Sequence, residues 1–318
     1  CELGQLGLIR ISGDDAMTFL QNQLSNDVKE INQEKTHLSA YCSAKGRVLS
    51  LFRIIATGKD YLLQLPQERI DNTIKRLSMF VLMSQVKIEN VSAEYGRIGV
   101  SGPQVAKVLS SLGLNTDLDI NQCYTAGDTL IVRLPGSLPR FEIIADTETL
   151  RAFWLETQPQ LRAVGYMAWL KLDINAGLPN IYESTSDAFV PQMLNLNSLN
   201  AISYTKGCYP GQEVVARMHY LGKQKRRMYL GHISSDKAPQ PGDNLYAGKA
   251  NSEQAIGKIV HSSGHSEFGY DTLAVLQIDP AENDTVHIDN AKGSSFIIKE
   301  LPYIVELEGS KDKQSEGN

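Results

Sequence analysis

Residues 203–218 read SYTKGCYPGQEVVARM and place one cysteine, Cys208, in a turn rich in glycine and polar residues. The pattern after Gly211 predicts a helix that begins near Gln212. Gly207 and Gly211 permit the tight backbone turns that such a junction needs. The stretch therefore predicts a loop-to-helix junction that carries a thiol in its loop.

The predicted environment of Cys208 favours the thiolate over the thiol. A helix that starts at Gln212 directs free N–H groups and a partial positive charge toward the loop. Lys206 lies two residues before the cysteine, and Arg217 would lie one to two turns along the helix. A thiolate can act as a nucleophile, a metal ligand or a redox group. The alternative is a small buried residue that fits a crowded turn, since free cysteines are among the most buried residues.

Length and composition indicate a globular protein of two or three domains. The chain has 318 residues, of which 42% are hydrophobic and 21% charged, and its net charge is -5. An acidic protein does not bind nucleic acid with its whole surface, so any RNA contact must be local. No stretch approaches the roughly 18 apolar residues of a membrane span, and no segment has the pattern of a signal peptide.

The cysteine pattern argues against a disulfide scaffold and against a local metal site. The four cysteines are widely spaced, and none belongs to a Cys/His cluster with metal-ligand spacing. Such a chain is typical of a reducing compartment, where a lone thiol stays reactive. We therefore predict a cytoplasmic protein without a bound metal.

Alternation and turn residues predict three structural parts. The first begins with a strand at 6–13, a helix capped by Asp14 and a hairpin that turns at 44–46. The middle follows the split βαβ order of ferredoxin-like domains. After residue 225, short strands alternate with Gly, Pro, Asn and Asp turns, which predicts a small β-barrel. HSSGH at 261–265 is interpreted there as a turn.

These patterns predict an α+β fold with a discontinuous first domain. The expected boundaries are residues 1–45 with 145–225 for the first domain, 46–144 for a ferredoxin-like middle domain, 226–308 for the barrel and 309–318 for a disordered tail.

The segment KGCYPGQEVVAR closely resembles the K-G-C-Y-x-G-Q-E signature of the YgfZ family. Other segments of the chain resemble the family too: ISGDDAMTFLQNQLSNDV, CSAKGRV, NAGLPNIYESTSDAFVPQMLNL and LGKQKRR. The family comprises folate-binding proteins of tRNA modification and iron–sulfur maintenance, similar in fold to the glycine-cleavage T-protein, an aminomethyltransferase. The resemblance implies a T-protein-like fold and a site for tetrahydrofolate or another folate.

The resemblance also assigns site residues. The signature positions are Lys206, Gly207, Cys208, Tyr209, Gly211, Gln212 and Glu213. Trp169 matches a tryptophan that lines the folate pocket in this family, and an indole is a good surface for a pterin to stack on. A core tryptophan on an amphipathic helix is the alternative. The implied folate contacts are Trp169, Leu6, Asn175, Tyr209, Gln212 and Glu213, while Cys208, Lys206 and Arg217 form the candidate reactive group.

Three positions depart from related patterns. Leu6 stands where some relatives place a second pocket tryptophan, and Asn175 stands where T-protein-like chains often carry a glutamate. T-protein relatives also carry a catalytic aspartate just after the first hairpin turn, where this chain has Leu49 and Ser50. Aminomethyl transfer is therefore not expected, although folate binding can persist.

Three functional hypotheses follow. The leading one is a folate-dependent factor that supports iron–sulfur enzymes, including those that thiolate tRNA, such as tRNA methylthiotransferases. The second is an active folate-dependent methyl or aminomethyl transferase. The third is a tRNA-binding module that uses the basic run KQKRR at 223–227, for which a solvated connector is the alternative.

Overall fold

Three antiparallel sheets follow one another along the chain in the computed structural model, which describes residues 1–248, 254–265 and 267–306. Five strands form the first sheet: β1 (Leu6–Ser12), β2 (His37–Cys42), β3 (Val48–Thr57), β4 (Asp60–Pro66) and β5 (Lys87–Asn90). Their order across the sheet is β2-β3-β4-β1-β5. All of β3 except its last residue is buried, because side chains pack on both faces of this sheet.

Two helices cover one face of the first sheet, α1 (Ala16–Gln23) and α2 (Ile70–Ser78). The predicted cap at Asp14 is wrong by one residue, since the residue that precedes α1 is Asp15. The carboxylate of Asp15 caps no helical N–H but accepts a hydrogen bond from the backbone N–H of Gln85 at 2.7 Å. The start of α1 is thereby tied to the segment before β5.

The second sheet has four strands: β6 (Gly96–Ser101), β7 (Cys123–Ala126), β8 (Thr129–Leu134) and β9 (Arg140–Ala145). Their order is β6-β9-β8-β7, and they pack against α3 (Val105–Ser111) and α4 (Thr147–Thr157). Asp146 caps α4 by accepting the N–H groups of Glu148 and Thr149. Residue 46, where the middle domain was expected to begin, lies in the turn between β2 and β3. The two strands that follow it, β3 and β4, are part of the first sheet. The exact division into domains stays a prediction.

The third sheet is a six-stranded, nearly closed barrel. Its strands are β10 (Arg226–Ile233), β11 (Asn244–Ala247), β12 (Gly257–His265), β13 (Gly269–Gln277), β14 (Val286–Ile288) and β15 (Phe296–Lys299). The order is β14-β11-β12-β13-β10-β15, and a bridge between His287 and Ser295 brings the two ends together. The helix α7 (Ile278–Asn283) follows β13. The predicted α+β fold with a C-terminal barrel is therefore confirmed.

The interpretation of residues 261–265 as a turn is wrong, because they form the second half of β12. The His, Ser and Gly residues of this segment are typical of turns, but they belong to a strand in which His261 is buried. The predicted tail at 309–318 lies outside the described residues. Within the described ranges, no helix has the length and apolar character that a membrane crossing requires.

Two further helices carry the predicted site residues, α5 (Tyr166–Asn175) and α6 (Gln212–Leu221). Leu170 and Ile174 of α5 and Val215 of α6 join one core with β3 and the barrel strands β10, β12 and β13. Burial of this shared apolar surface fixes both helices against the barrel.

A buried carboxylate also links α5 to the barrel. Asp271 of β13 contacts the ammonium of Lys299 at 2.8 Å, Nδ1 of His232 at 3.0 Å and the ammonium of Lys171 on α5 at 3.3 Å. Burial alone would raise the pKa of Asp271. The hydrogen bonds from Lys299 and His232, with the charges of Lys171 and Lys299, outweigh burial and lower that pKa to about 2.

This cluster predicts a loss of stability in acid. A carboxylate with a depressed pKa stabilises the fold above its unfolded pKa, near 3.9, and that contribution disappears as the pH falls toward 2. We expect Asp271→Asn to lower the free energy of unfolding at pH 7 by about 2 kcal/mol and to flatten its pH dependence between about pH 4 and 2. Urea unfolding across that range measures both effects. Asp236→Asn, in an exposed barrel loop, is the control, and an equal loss in both variants would contradict the prediction.

Candidate functional site

The loop that carries Cys208 is packed against the first hairpin. Here α6 begins at Gln212, and Gly211 before it has a φ of +80°. A Cβ on Gly211 would lie 2.4 Å from the carbonyl oxygen of Ser43, and a Cβ on Gly46 would lie 2.8 Å from Cβ of Val214. Only glycine fits these two close approaches without a shift. The signature loop and the hairpin turn therefore hold each other in place.

Lys206 fastens the same loop to the end of α1. Its buried ammonium donates to the carbonyl oxygens of Gln21 and Leu24 at 2.6 Å each and to that of Asn26 at 3.0 Å. These carbonyls lie at and beyond the helix end, where oxygens lack helical partners. Burial lowers the pKa of Lys206 to about 8, against the opposing charge of Asp27, so the ammonium is charged at pH 7. Its proposed help to the Cys208 thiolate stays a prediction.

The residue after the cysteine also holds the loop against the protein. Tyr209 is buried, and the ammonium of Lys206 lies 5.3 Å from the centre of its ring. Burial raises the pKa of Tyr209, and the nearby Cys42 raises it further. Gln212 is half-buried, whereas Glu213 and Arg217 are exposed on α6.

Cys208 is the exposed cysteine of the four in the chain. The other three are buried, and burial raises the pKa of Cys42 to about 12 and that of Cys123 to about 11. Buried, protonated thiols are poor nucleophiles and poor metal ligands. Of the two interpretations of Cys208, the accessible thiol agrees with the structure and the buried one does not.

Trp169 on α5 lies between two cavities. The first, which we call the aromatic cavity, has a volume of about 640 Å³ and is bounded by β6, α4 and α5. Phe153, Trp154 and Trp169 contribute its rings, and Ser101 contributes a hydroxyl. A Cβ on Gly99 would lie 2.5 Å from the indole of Trp169, so the glycine makes room for the ring.

The second cavity, the inner cavity, lies between the first two sheets and has a polar side and an apolar side. It measures about 50 Å³ and is lined on its polar side by Arg53, Gln64, Glu142 and Asp173. A volume of that size holds about one or two water molecules. Its apolar wall includes Trp169 and Leu6, so two predicted folate contacts meet here.

Buried charges compensate one another around the inner cavity. Arg140 places its guanidinium 4.3 Å from the Trp169 ring centre and donates to Asp173 at 2.6 Å. Burial raises the pKa of Glu142, while the charges of Arg97 and Arg53 and a hydrogen bond from Gln64 oppose that rise. Burial also lowers the pKa of Arg53 to about 10. Removing such charges from water is costly, and only close pairing and further hydrogen bonds offset that cost.

A third cavity, the loop cleft, lies beyond Leu38 and extends to residues 203–205, just before the signature positions. It has a volume of about 700 Å³ and is lined by Leu38, Asn121, Tyr204 and Thr205, among others. Leu38 also lines the inner cavity, and Arg53 donates to the Asn121 side chain at 2.9 Å. The aromatic cavity, the inner cavity and the loop cleft therefore follow one another through the protein, separated by Trp169 and then by Leu38.

Several predicted contacts lie away from these cavities. Asn175 is on the exposed side of α5, while Asp173, two residues earlier, lines the inner cavity. Among the residues described, Cys208, Tyr209, Gln212 and Glu213 line none of the three cavities. Their assignment to a folate site stays a prediction.

Sequence reasoning missed the polar residues of the inner cavity. One signal was available, since Glu142 interrupts the apolar strand RFEIIA and such an interruption marks a buried, partnered charge. Leu49 and Ser50 are buried on β3, where the Ser50 hydroxyl pairs with that of Thr73 at 2.8 Å. Neither Leu49 nor Ser50 supplies the carboxylate that T-protein relatives carry after this hairpin turn.

The basic run KQKRR is largely engaged within the fold. Gln224 is buried and donates to the carbonyl of Gln192 at 2.8 Å. Arg227 lies over the ring of Tyr229 at 4.1 Å and pairs with Glu282 at 3.6 Å. Two exposed cations of the run are Lys223 and Lys225.

Comparisons with known proteins identify relatives along most of the chain. Residues 1–202 match the family described as GCVT N-terminal domain. The tRNA-modifying protein YgfZ of Colwellia psychrerythraea is 37% identical over 278 residues, which cover 87% of this chain and 81% of that protein. The protein of the same name from Yersinia enterocolitica is 29% identical over 301 residues, which cover 95% of this chain and 91% of that protein.

A solved structure has the same fold. The glycine cleavage system aminomethyltransferase T from Bartonella henselae aligns with a TM-score of 0.73 at 16% sequence identity, over 96% of this chain and 86% of that one. Together with the KGCYPGQE signature at 206–213, these matches settle the relationship. The chain belongs to the YgfZ family and has the fold of the glycine-cleavage T-protein.

Proposed function

We propose that this protein is a folate-binding accessory factor of tRNA modification that acts with iron–sulfur enzymes through the thiol of Cys208. The relatives named tRNA-modifying protein YgfZ support the tRNA context. The observation that carries the folate part is the position of Trp169, whose indole bounds a cavity of about 640 Å³ on one side and a polar cavity on the other.

The aromatic cavity fits a flat, polar-edged ring. A ligand pocket of this kind combines apolar walls with a few polar groups that orient the ligand. Phe153, Trp154 and Trp169 supply the walls. The hydroxyl of Ser101 lines the cavity, is buried, and has no hydrogen-bond partner among the described residues. A bound pterin would give that hydroxyl a partner and would exclude water from the rings.

The exposed position of Cys208 favours contact with a partner protein over relay of a folate one-carbon unit. Within the described residues, the cysteine does not line the aromatic cavity. It is exposed on a loop that Lys206 and Gly211 hold rigidly. A rigid, accessible thiol suits an approaching iron–sulfur species, since thiolates are the common ligands of such clusters.

Titration with tetrahydrofolate tests the folate site. Saturable quenching of tryptophan emission is expected, and both tryptophans should contribute, because Trp154 lines the same cavity as Trp169. We expect Trp169→Phe to weaken binding about fivefold through loss of stacking area. Calorimetry measures the affinity of each variant, so the result does not depend on which indole remains. Absence of saturable binding by the unmodified protein would refute the folate proposal.

A glycine substitution tests the position of the indole without removing it. Gly99→Ala should push Trp169 toward a cavity and weaken tetrahydrofolate binding about tenfold, as displacements of this size do in well-packed sites. Ala152→Ser, an exposed change on α4 at a residue that does not line the cavity, is the control. Equal affinity in the two variants would place the folate elsewhere.

A further inference from the structure

A second large cleft lies between the start of α5 and the barrel. We call it the tyrosine cleft, and its volume is about 1290 Å³. Its walls are formed by the end of β4, the first turn of α5, residues 182–184, the loop at 238–241 and strands β12 and β13. Ala168 is common to this cleft and the aromatic cavity. No signature residue or predicted folate contact is among the described residues that line it.

The tyrosine cleft contains a buried imidazole with one free acceptor. His261 is 1% exposed and lines the cleft, and its Nε2 lies 3.1 Å from the carbonyl oxygen of Leu178. Because a carbonyl only accepts, Nε2 carries the proton. Burial lowers the pKa of His261 to about 4, so the ring is neutral at pH 7 and Nδ1 is an acceptor. That Nδ1 has no partner in the part of the chain that the structure describes.

Three tyrosines give the same cleft flat surfaces. Tyr182 lies 6.1 Å from the His261 ring, at an angle of 46° between the planes. The hydroxyls of Tyr182 and Tyr166 are hydrogen-bonded to each other, and burial raises the pKa of both, so they stay protonated. Tyr270 is buried at the barrel side. Rings at such angles provide stacking and edge contacts for another aromatic ring.

Donors come from the helix start. Gly165 precedes α5 without a side chain to cap it, and residues 165–168 line the cleft. The N–H groups of a first helical turn point out of the helix end and can donate to an oxygen. The cleft therefore offers N–H donors at the start of α5 and an acceptor at His261, the two kinds of partner that a ligand edge with a carbonyl next to an N–H requires.

Charge limits the class of ligand. Of the described residues that line the cleft, Glu68 is the charged one, and one of its oxygens already accepts the N–H of Glu183 at 2.7 Å. No lysine or arginine lines the cleft within the described ranges, so a phosphate would lack its usual cationic partners. An uncharged ring is therefore favoured over a nucleotide.

We propose that the tyrosine cleft binds an uncharged nitrogen heterocycle by its lactam edge, with the N–H on Nδ1 of His261 and the carbonyl at the start of α5. Guanine, uracil and a pterin carry such an edge. Adenine and cytosine do not present an adjacent ring N–H and carbonyl. The shared chemistry has two sources, a nucleoside or a second folate ring.

Binding of free nucleosides and of a pterin without a glutamate tail tests this site in the full chain. Saturation-transfer NMR and equilibrium dialysis should show saturable binding of guanosine, uridine or the pterin, at least about fivefold tighter than adenosine and cytidine, because a wrong edge leaves buried polar groups unpaired. A nucleoside response identifies the first source, and a pterin response that His261→Phe weakens identifies the second. Emission from Trp154 and Trp169 should stay unchanged when a nucleoside binds, which separates this site from the aromatic cavity, where the pterin is itself expected to quench those tryptophans.

Variants locate the binding. His261→Phe should weaken it about tenfold, since the acceptor is lost. Should that variant fail to fold, Tyr182→Phe keeps the ring, removes one hydroxyl of the Tyr166 pair and should weaken binding as well. Tyr124→Phe, in β7 of the second sheet, is the matched control. Equal binding of all four nucleosides, absence of saturation by every probe, or unchanged affinity in the folded cleft variants would overturn the proposal.

Discussion

Cys208→Ser is expected to abolish support of tRNA thiolation while leaving the fold intact. The side chain is exposed, so the substitution removes no core packing, and the midpoint of thermal unfolding should not change. The amount of methylthiolated tRNA nucleoside should drop about tenfold or more, because a serine hydroxyl does not ionise near neutral pH. Mass spectrometry of tRNA from cells that depend on the variant measures this.

Two comparisons make the Cys208 result specific. Cys208→Ala should behave like the serine variant, since both lack a thiol. Tyr220→Phe, an exposed change on the same helix, should keep full thiolation. Alkylation of the folded protein should modify one cysteine, because the other three are buried. Normal thiolation with either Cys208 variant would rule out a chemical role for the sulfur.

Lys206→Met is expected to cost about 3 kcal/mol of unfolding free energy. The substitution keeps the apolar length of the side chain but leaves the carbonyls of Gln21, Leu24 and Asn26 without their donor. Buried acceptors that lose a charged partner are expensive, because folding has already removed them from water. Denaturant unfolding at pH 7 measures the loss, and thiolation should fall as the loop detaches from α1.

Lys223→Met is the matched control for that experiment. It removes the same charge from an exposed position only 17 residues away, where a lone surface cation contributes little. A loss below about 0.5 kcal/mol is expected there. Equal losses of unfolding free energy in the two lysine variants would show that the three carbonyls find other partners. Lys206 would then not stabilise the contact between the loop and α1.

Local patterns predicted the elements well where the signal was itself local. The start of α6 follows from the glycine turn before Gln212, and the barrel strands follow from alternation between turn residues. Asp14 and Asp15 show the limit of such patterns, because the sequence alone does not decide which of two adjacent aspartates precedes the helix. The choice depended on Gln85, which lies 70 residues away.

Side-chain direction could not be predicted for the candidate site. Lys206 and Cys208 are neighbours in sequence, which suggested one shared electrostatic role. In the fold, the lysine turns toward carbonyls about 180 residues earlier in the chain, while the cysteine faces solvent. On α5, Asp173 and Asn175 are separated by about 200° around the helix, so the one lines the cavity and the other does not.

The indole of Trp169 is a partition that two compartments share. Arg140 covers it from within the protein, and Gly99 leaves it the space it occupies. A shift of that ring toward one compartment enlarges the other. Whatever fills the larger compartment therefore changes the hydration of Glu142 across the partition, and by reciprocity the protonation of that carboxyl changes how tightly the occupant is held.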